Sequence, residues 1–540
     1  MNVMLLAIVT VVYLIITAYF GWLGYKQTSS ASDYMLAGRK QHPAIMALSY
    51  GATFISTSAI VGFGGAAAVY GMGLLWLTFL NIFLGIFIAF IVFGKRIRKI
   101  GHNLDAHTFP ELIGRRFDSR FLQAAAGLLI FVGMPLYAGS VMIGGAQFIS
   151  QTLAVNYEVA LLGFTGIVAA YVIMGGLKGV MYTDAFQGLL MMVGMTIFVV
   201  FGYSKLGGIT SAHQQLTALA PEAIKVFGAK GHLGWTSMPA FKSVMWLQLV
   251  TTIIMGVGIG VLAQPQLAVR FMTVKSDREI NRGVIIGGLF IFLITGAAYV
   301  IGALSNVIFF NDPAFAKIAF LAVDKKVENI IPLFVNTYLP PWFGAVFMVT
   351  LLAAAMSTLS SQFHTMGTSF GRDFYHVGLG REGNTVVLTR SSMGITIIIS
   401  LFLAYVLPKF FEQGSAIIAI GTAIFFGLCG AAFLPLMVGG LFFKKVSKEA
   451  AIASFLAGSV MSFFWLFFVH SKESMPLGLC KLLFGVATLA GASKWQYIDA
   501  QLVALPLSAI VFLAVNAFTL PVNESVVKQS FEGTHIKGNL

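Results

Sequence analysis

The run Leu351–Phe370, LLAAAMSTLSSQFHTMGTSF, puts Ala354, Ser357, Thr358 and Ser361 at i, i+3, i+4 and i+7, one face of a helix. Ser360 lies three residues beyond Ser357 on the neighbouring register. A hard cation needs several oxygen ligands. Hydroxyls from one helix and carbonyls freed in an unwound partner could together replace the water shell of a sodium ion. The partner the chain offers is Gly51–Gly65, GATFISTSAIVGFGG. One hydroxyl in a membrane helix would say little, because serine and threonine bond back to the i−4 carbonyl. Four hydroxyls within five residues, Ser357 to Ser361, point more firmly to a cation.

A carboxylate joins this set. Asp184, in GGLKGVMYTDAFQGLLMM, is the only acid between Glu158 and Glu222 and stands at the start of an apolar run. An intramembrane carboxylate is costly and marks an ion path, while Thr183-Asp184 reads equally as a helix N-cap. If Asp184 approaches Ser357, Ser360 and Ser361, a second cation site follows. His364, one turn past the serines, is expected to be a packed polar group rather than a proton carrier. The basic stretch Gln264–Gly283 reads as a loop that orients the chain in a membrane. No nucleophile–base pair, metal-ligand cluster or phosphate loop is present, so no enzyme is expected. Two cysteines, Cys429 in an apolar run and Cys480 in a loop, exclude a disulfide framework.

The elements that must position these groups are membrane helices. Of the 540 residues 58% are hydrophobic and 10% charged, against roughly a quarter charged in soluble chains. Mean hydropathy is +0.87. Apolar runs of about twenty residues recur, each able to cross a hydrocarbon core about 30 Å thick. Thirteen spans are expected, starting near 3, 45, 74, 121, 158, 183, 243, 284, 336, 392, 414, 449 and 500. The first, with no basic n-region, reads as a retained helix, and Leu477–Ala492 as an outer hairpin or interfacial segment rather than a fourteenth span. The net charge of +14 does not mark a nucleic-acid partner, because the basic residues sit in short loops between apolar runs. With the N-terminus outside, inner loops hold 23 of the 34 basic residues, including all 12 arginines, and the C-terminus is cytoplasmic. The expected organisation is one transporter domain over 1–523, core repeats at about 45–205 and 242–440, and a tail at 524–540 with no output domain.

Two spans carry unusual backbone. The second holds Gly62, Gly64, Gly65, Gly71 and Gly73; the seventh holds Gly256, Gly258 and Gly260, followed by Gln264-Pro265. Interrupted helices opening two five-helix groups point to an inverted-repeat transporter with a midplane site. Glycines also serve close helix packing with no site at all.

Four stretches, DYMLAGRK (33–40), GGLKGVMYTDAFQ (175–187), QPQLAVRFM (264–272) and AAAMSTLSSQ (353–362), resemble the sodium:solute symporter family over nearly the whole chain. The resemblance implies an all-α polytopic fold with a five-plus-five inverted repeat, broken helices 2 and 7, and likeness to leucine-transporter-like proteins. By position it implies a main sodium site from the carbonyls of Ala52, Ile55 and Ala354 and the hydroxyls of Ser357 and Thr358. A second sodium site would use Asp184, Ser357, Ser360 and Ser361. The solute pocket would fall at Ser58, Ala59, Tyr137, Val257 and Val261. The last two sequence stretches look nearest to the proline-symporter branch, whose aromatics are replaced here by Ser58, Val257 and Val261, whose tyrosine survives as Tyr137, and whose acid is replaced by Phe54. Ala59 stands where a sugar site carries an amide.

The function expected is sodium-coupled symport of a small organic solute across the plasma membrane, with sodium as coupling ion and no other cofactor. The small apolar pocket suggests a short monocarboxylate such as acetate or lactate. No arginine is expected to reach the core, so a helix N-terminus would hold the carboxylate. The alternatives are a proton-coupled symporter with Asp184 titrating, a proline-like sodium symporter and, from other classes, a channel or a substrate sensor.

Overall fold

The computed structural model describes residues 3–28, 30–381, 383–410 and 417–534. Lys537 and the expected start of a span near residue 414 lie outside them. Among the described residues no strand forms, and eleven helical stretches are long and apolar enough to cross a membrane. The chain is an all-α polytopic membrane protein.

Helix α1 (Val3–Lys26) is apolar throughout, and its outer face shows how lipid replaces water as the solvent for exposed groups. Met4, Ile8, Val11, Ile15, Tyr19 and Trp22, three or four residues apart, are exposed, while Leu6, Tyr13 and Thr17 are buried. Helix α2 (Pro43–Phe54) follows, with His42 accepting from the Ala44 N–H at its start. A π-helical turn, Ser58–Gly62, leads into α3 (Phe63–Tyr70), and Gly71 turns the chain at φ +74°. Helix α4 (Leu75–Ile82), a π-helical stretch (Phe83–Gly94) and α5 (Lys95–Asn103) form one long rod. The short α6 (Phe109–Arg116) and the long α7 (Arg120–Leu153) come next.

Helix α8 (Tyr157–Lys205) is two arms joined at Gly176, whose φ of +57° and ψ of −175° suit only glycine. The ring of Tyr34 sits where a β-carbon would go. The seventh span runs from α9 (Val244–Leu247) through a π-helical stretch, Gln248–Val257, and stops at Gln264 with extended backbone. Helix α10 (Pro265–Phe271) restarts with its proline at the first helical position, where a missing N–H costs nothing. Beyond it lie α11 (Asp277–Asn311), opened by a capping box from Ser276 and Glu279, and α12 (Pro341–Thr368), which continues as a π-helix over Ser369–Gly378. The series closes with α13 (Thr385–Phe410), α14 (Ile417–Phe442), α15 (Lys448–Phe468), α16 (Gln501–Phe518) and α17 (Glu524–Ser530).

Helix α12 is buried along almost its whole length and packs on α7, α8 and α1. Helices α2 and α3 pack against α11, and α15 and α16 pair and lean on α14. The stretch 477–492 builds no further spanning helix. It holds the end of a seven-residue helix, Ser471–Leu477, then a six-residue one, Leu479–Phe484, whose Leu482, Leu483 and Phe484 are exposed. Cys480 is buried in the second of these rather than lying in a loop.

The glycines do what close packing asks of them. A β-carbon on Gly302 of α11 would lie 2.0 Å from the Gly64 carbonyl, and one on Gly260 would lie 2.3 Å from the Phe426 carbonyl. The breaks themselves fall elsewhere, at Ile55–Ser56 before the first glycine run and at Gln264 after the second.

Candidate functional site

Helix α2 ends because Ile55 gives its N–H to the Gly51 carbonyl and then takes extended backbone angles, φ −92° and ψ +109°. Ser56 starts the next turn, its Oγ accepting from the Ser58 N–H at 3.1 Å. The last carbonyls of α2 therefore lack intrahelical partners, and they sit at the negative end of the helix dipole, which favours a cation. The ninth span supplies the other half. Ser357 Oγ donates to the carbonyls of Ala52 at 2.8 Å and Ala354 at 3.2 Å. Thr358 Oγ1 lies 3.0 Å from the Thr53 carbonyl, 3.4 Å from that of Ala52 and 3.5 Å from that of Ile55. All five residues expected at the main site, Ala52, Ile55, Ala354, Ser357 and Thr358, are fully buried around one point. The donors are all oxygens, the set a hard monovalent cation takes.

One turn along α12, Asp184 is fully buried. Its Oδ2 accepts from Ser49 at 2.9 Å, Thr53 at 3.2 Å and Ser361 at 3.3 Å, and its Oδ1 accepts from Ser360 at 3.2 Å. The serines expected beside Asp184 are there, except that Ser357 turns its hydroxyl to the first site and offers only its carbonyl, to Ser360 and Ser361. Asp184 is no N-cap. The α8 bend is at Gly176, eight residues earlier, and Thr183 bonds back to the Gly179 carbonyl.

Sequence reasoning placed Arg270 in an orienting loop and kept arginine out of the core; both expectations are corrected. Arg270, on α10, is 1% exposed. Its Nη2 lies 2.9 Å from Asp184 Oδ2 and also donates to Ser361 Oγ, and its Nε donates to Ser49 Oγ at 3.0 Å. Its Nη1 donates to the Gln266 carbonyl within its own helix. A guanidinium thus occupies the oxygens that a second sodium would need. The break at Gln264 turns α10 inward, a consequence of backbone that charge counting does not register. Ser49 and Thr53, also missed, stand at i and i+4 on α2, a spacing that could have found them. His364 packs as expected, bonded to the Tyr34 carbonyl at 3.1 Å.

The expected pocket residues meet in part. Tyr137 stacks against Phe425 and meets Phe426 edge-on at 5.3 Å. Phe426 also stacks on Phe54 at 6.0 Å. Val261 and Phe54 both face Gly85 on the third span. Ser58 gives its N–H to Ser56 Oγ and keeps a buried hydroxyl without a protein partner. Val257 lies one turn before Val261, and Ala59 follows Ser58; both are buried. Phe425 and Phe426 were not anticipated, because α14 reads as a uniformly apolar run.

Broken helices presenting carbonyls to a hydroxyl-bearing helix, in an all-α membrane chain, are the build of a secondary transporter. The chain belongs to the sodium:solute symporter family, whose family model matches residues 34–458. It is 27% identical to sodium/proline symporter 2 of Staphylococcus saprophyticus over 492 residues, 89% of this chain and 88% of the relative. It is 28% identical to the high-affinity proline transporter PutP of Bacillus subtilis over 455 residues, 82% of this chain and 89% of the relative. The fold is similar to that of a substrate-bound, outward-open Na+-coupled sialic acid symporter, with a TM-score of 0.74 at 18% identity and coverage of 96% and 98%. It is also similar to Mhp1, a nucleobase-cation-symport-1 family transporter, with a TM-score of 0.52 at 13% identity and coverage of 93% and 99%.

Proposed function

We propose that this chain is a plasma-membrane symporter that uses the sodium gradient to carry a small amino acid of the proline type into the cell. One observation carries the reading. The carbonyls released at the end of α2 meet the buried hydroxyls of Ser357 and Thr358. Ile55 and Ser56 are adjacent, the first offering a carbonyl to the cation and the second holding the N–H of Ser58, a residue of the pocket. A sodium ion that orders this break also orders the solute pocket, so each ligand raises the other's affinity by the same factor. Inward movement of the charge draws about 2.3 kcal/mol per 100 mV of membrane potential.

The Staphylococcus and Bacillus relatives named above are proline transporters by name, which weighs against the short monocarboxylate suggested by the pocket's composition. The monocarboxylate stays as a second reading on one observation: Phe54, Val261 and Phe426 leave the pocket wall apolar. Sodium-gradient uptake into proteoliposomes, with proline, acetate and lactate each as labelled solute, separates the two. Uptake of none of them under a sodium gradient would overturn both.

For the second cation site we infer one sodium per cycle, with the Arg270 guanidinium as the resident cation beside Asp184. Two sodium ions would require that guanidinium to leave. Proton coupling through Asp184 stands as the mechanistic alternative, tested by uptake driven by a pH gradient without sodium. We read the chain as thirteen spans forming one unit over 1–523, with repeats near 45–205 and 242–440, the N-terminus outside and the C-terminal tail in the cytoplasm. Support comes from the positions of the two breaks and from the charge of the loops.

A further inference from the structure

The rod formed by α4, the Phe83–Gly94 stretch and α5 carries a ruler for the bilayer on its outer face. Trp76, Phe79, Phe83 and Phe87 are all about half exposed and follow one another three or four residues apart. The same stripe continues through the half-buried Ile91 to Lys95. From Trp76 to Lys95 is nineteen residues, roughly 28 Å at the α-helical rise of ~1.5 Å per residue and a little less where the turns are wider. That matches a hydrocarbon core of about 30 Å with an aromatic ring at one interface and a cation at the other. Lys95 therefore faces lipid at the level of the head groups, not an aqueous passage.

A cavity of about 570 Å³ opens at that level. Ile91, Val92 and Phe442 line its apolar side, and Lys95, Arg96 and Lys99 its polar side. The fourth cation on its wall, Arg98, is already matched by Asp277 at 2.7 Å. Arg96 donates to the Leu441 carbonyl at 3.1 Å and lies over the Phe442 ring, which orients its guanidinium without neutralising it. Among the described residues no carboxylate pairs with Lys95, Arg96 or Lys99. The far wall is the segment around Gly533 and Thr534. Asn103 donates to the carbonyls of Ser530 and Glu532 at 3.1 and 2.9 Å, and Gln529 donates back to the Asn103 carbonyl at 3.0 Å. This clamp sets Gly533 beside Lys99.

We propose that this cavity binds one anionic phospholipid from the leaflet that meets the basic ends of the spans. Its phosphate lies among Lys95, Arg96 and Lys99, and its acyl chain runs down over Ile91 and Val92. Three unmatched positive charges next to an apolar wall, at head-group depth, complement a phosphodiester attached to hydrocarbon and complement no purely aqueous anion as well. A merely orienting set of basic residues would point outward into water. Here Arg96 is stacked on the Phe442 ring, Lys99 lies beside Gly533, and the space between them is a half-open cavity with an apolar wall.

Native mass spectrometry of the full chain released from nanodiscs of mixed phosphatidylglycerol and phosphatidylcholine tests this. Phosphatidylglycerol should be retained in preference, and Lys95→Gln/Lys99→Gln should lower its retention by at least about fivefold. The charge-keeping Lys95→Arg/Lys99→Arg should restore it, which separates binding from misfolding. Arg120→Gln/Lys448→Gln, which removes the same charge from exposed positions away from the cavity, should retain the lipid as the wild type does. Equal loss in that control, no preference for phosphatidylglycerol, or displacement of the lipid by inorganic phosphate would each overturn the proposal.

Discussion

Arg270 and Asp184, 86 residues apart in the chain, meet at 2.9 Å in a setting where their side chains are 1% and 0% exposed. The pair fastens α10, just past the break in the seventh span, to the second arm of α8, and Ser49 and Ser361 bring in α2 and α12. Four helices of the transport core thus share one buried ion pair.

Breaking such a pair from one side leaves an uncompensated charge and costs roughly 3–5 kcal/mol. Asp184→Asn and Arg270→Gln are each expected to lower the thermal midpoint of the purified protein sharply. The double variant should recover much of that loss. Additive losses in the thermal unfolding of the three variants would show that the two groups do not act as a pair.

At the first site, Ser357→Ala or Thr358→Ala removes one of the two hydroxyls that meet the carbonyls at the end of α2. A contact to a charged partner contributes about 1.5–3 kcal/mol, so half-maximal uptake should need at least about tenfold more sodium. Protein level in the membrane should be unchanged. Sodium dependence identical to wild type in both variants would sink the assignment.

Tyr137 closes on the break through Phe426, which meets it edge-on at 5.3 Å and stacks on Phe54 at the end of α2. An aromatic contact of this kind is worth about 1 kcal/mol. Tyr137→Leu should therefore raise the solute KM about fivefold, with a coupled but smaller change in sodium affinity. An uptake titration against both ligands measures the two together.

Glu111 lies outside the spans, where burial opposes its charged form but Arg372 at 2.8 and 3.1 Å, the His107 N–H and Arg115 outweigh it. Its carboxyl titrates below the ordinary range. The stabilisation is complete above the unfolded value of about 4.3 and disappears as pH falls through the lower folded value. Glu111→Gln should thus melt well below the wild type at neutral pH, with the gap closing in acid. A gap that is constant from neutral pH into acid would rule out this account.

Hydropathy and spacing alone establish an all-helical membrane chain, because apolar length and the i, i+3, i+4 register are local properties. They also bring Ser357, Thr358 and Ser361 to one face with Ser360 beside them, and the resemblance matches them with Ala52 and Ile55. Asp184 could be singled out as a buried charge, but not where its helix begins, since Gly176 sets the bend through a backbone angle that composition does not reveal. Arg270 reads as a loop charge in the sequence because a basic residue after an apolar run is indistinguishable from one that orients the chain. Only the tertiary structure, by breaking the seventh span at Gln264 and turning α10 inward, places its guanidinium on Asp184. The glycines divide in the same way. Their presence is plain in the sequence, but whether they unwind a helix or admit a neighbour depends on what lies opposite, and the carbonyls of Gly64 and Phe426 decide for packing.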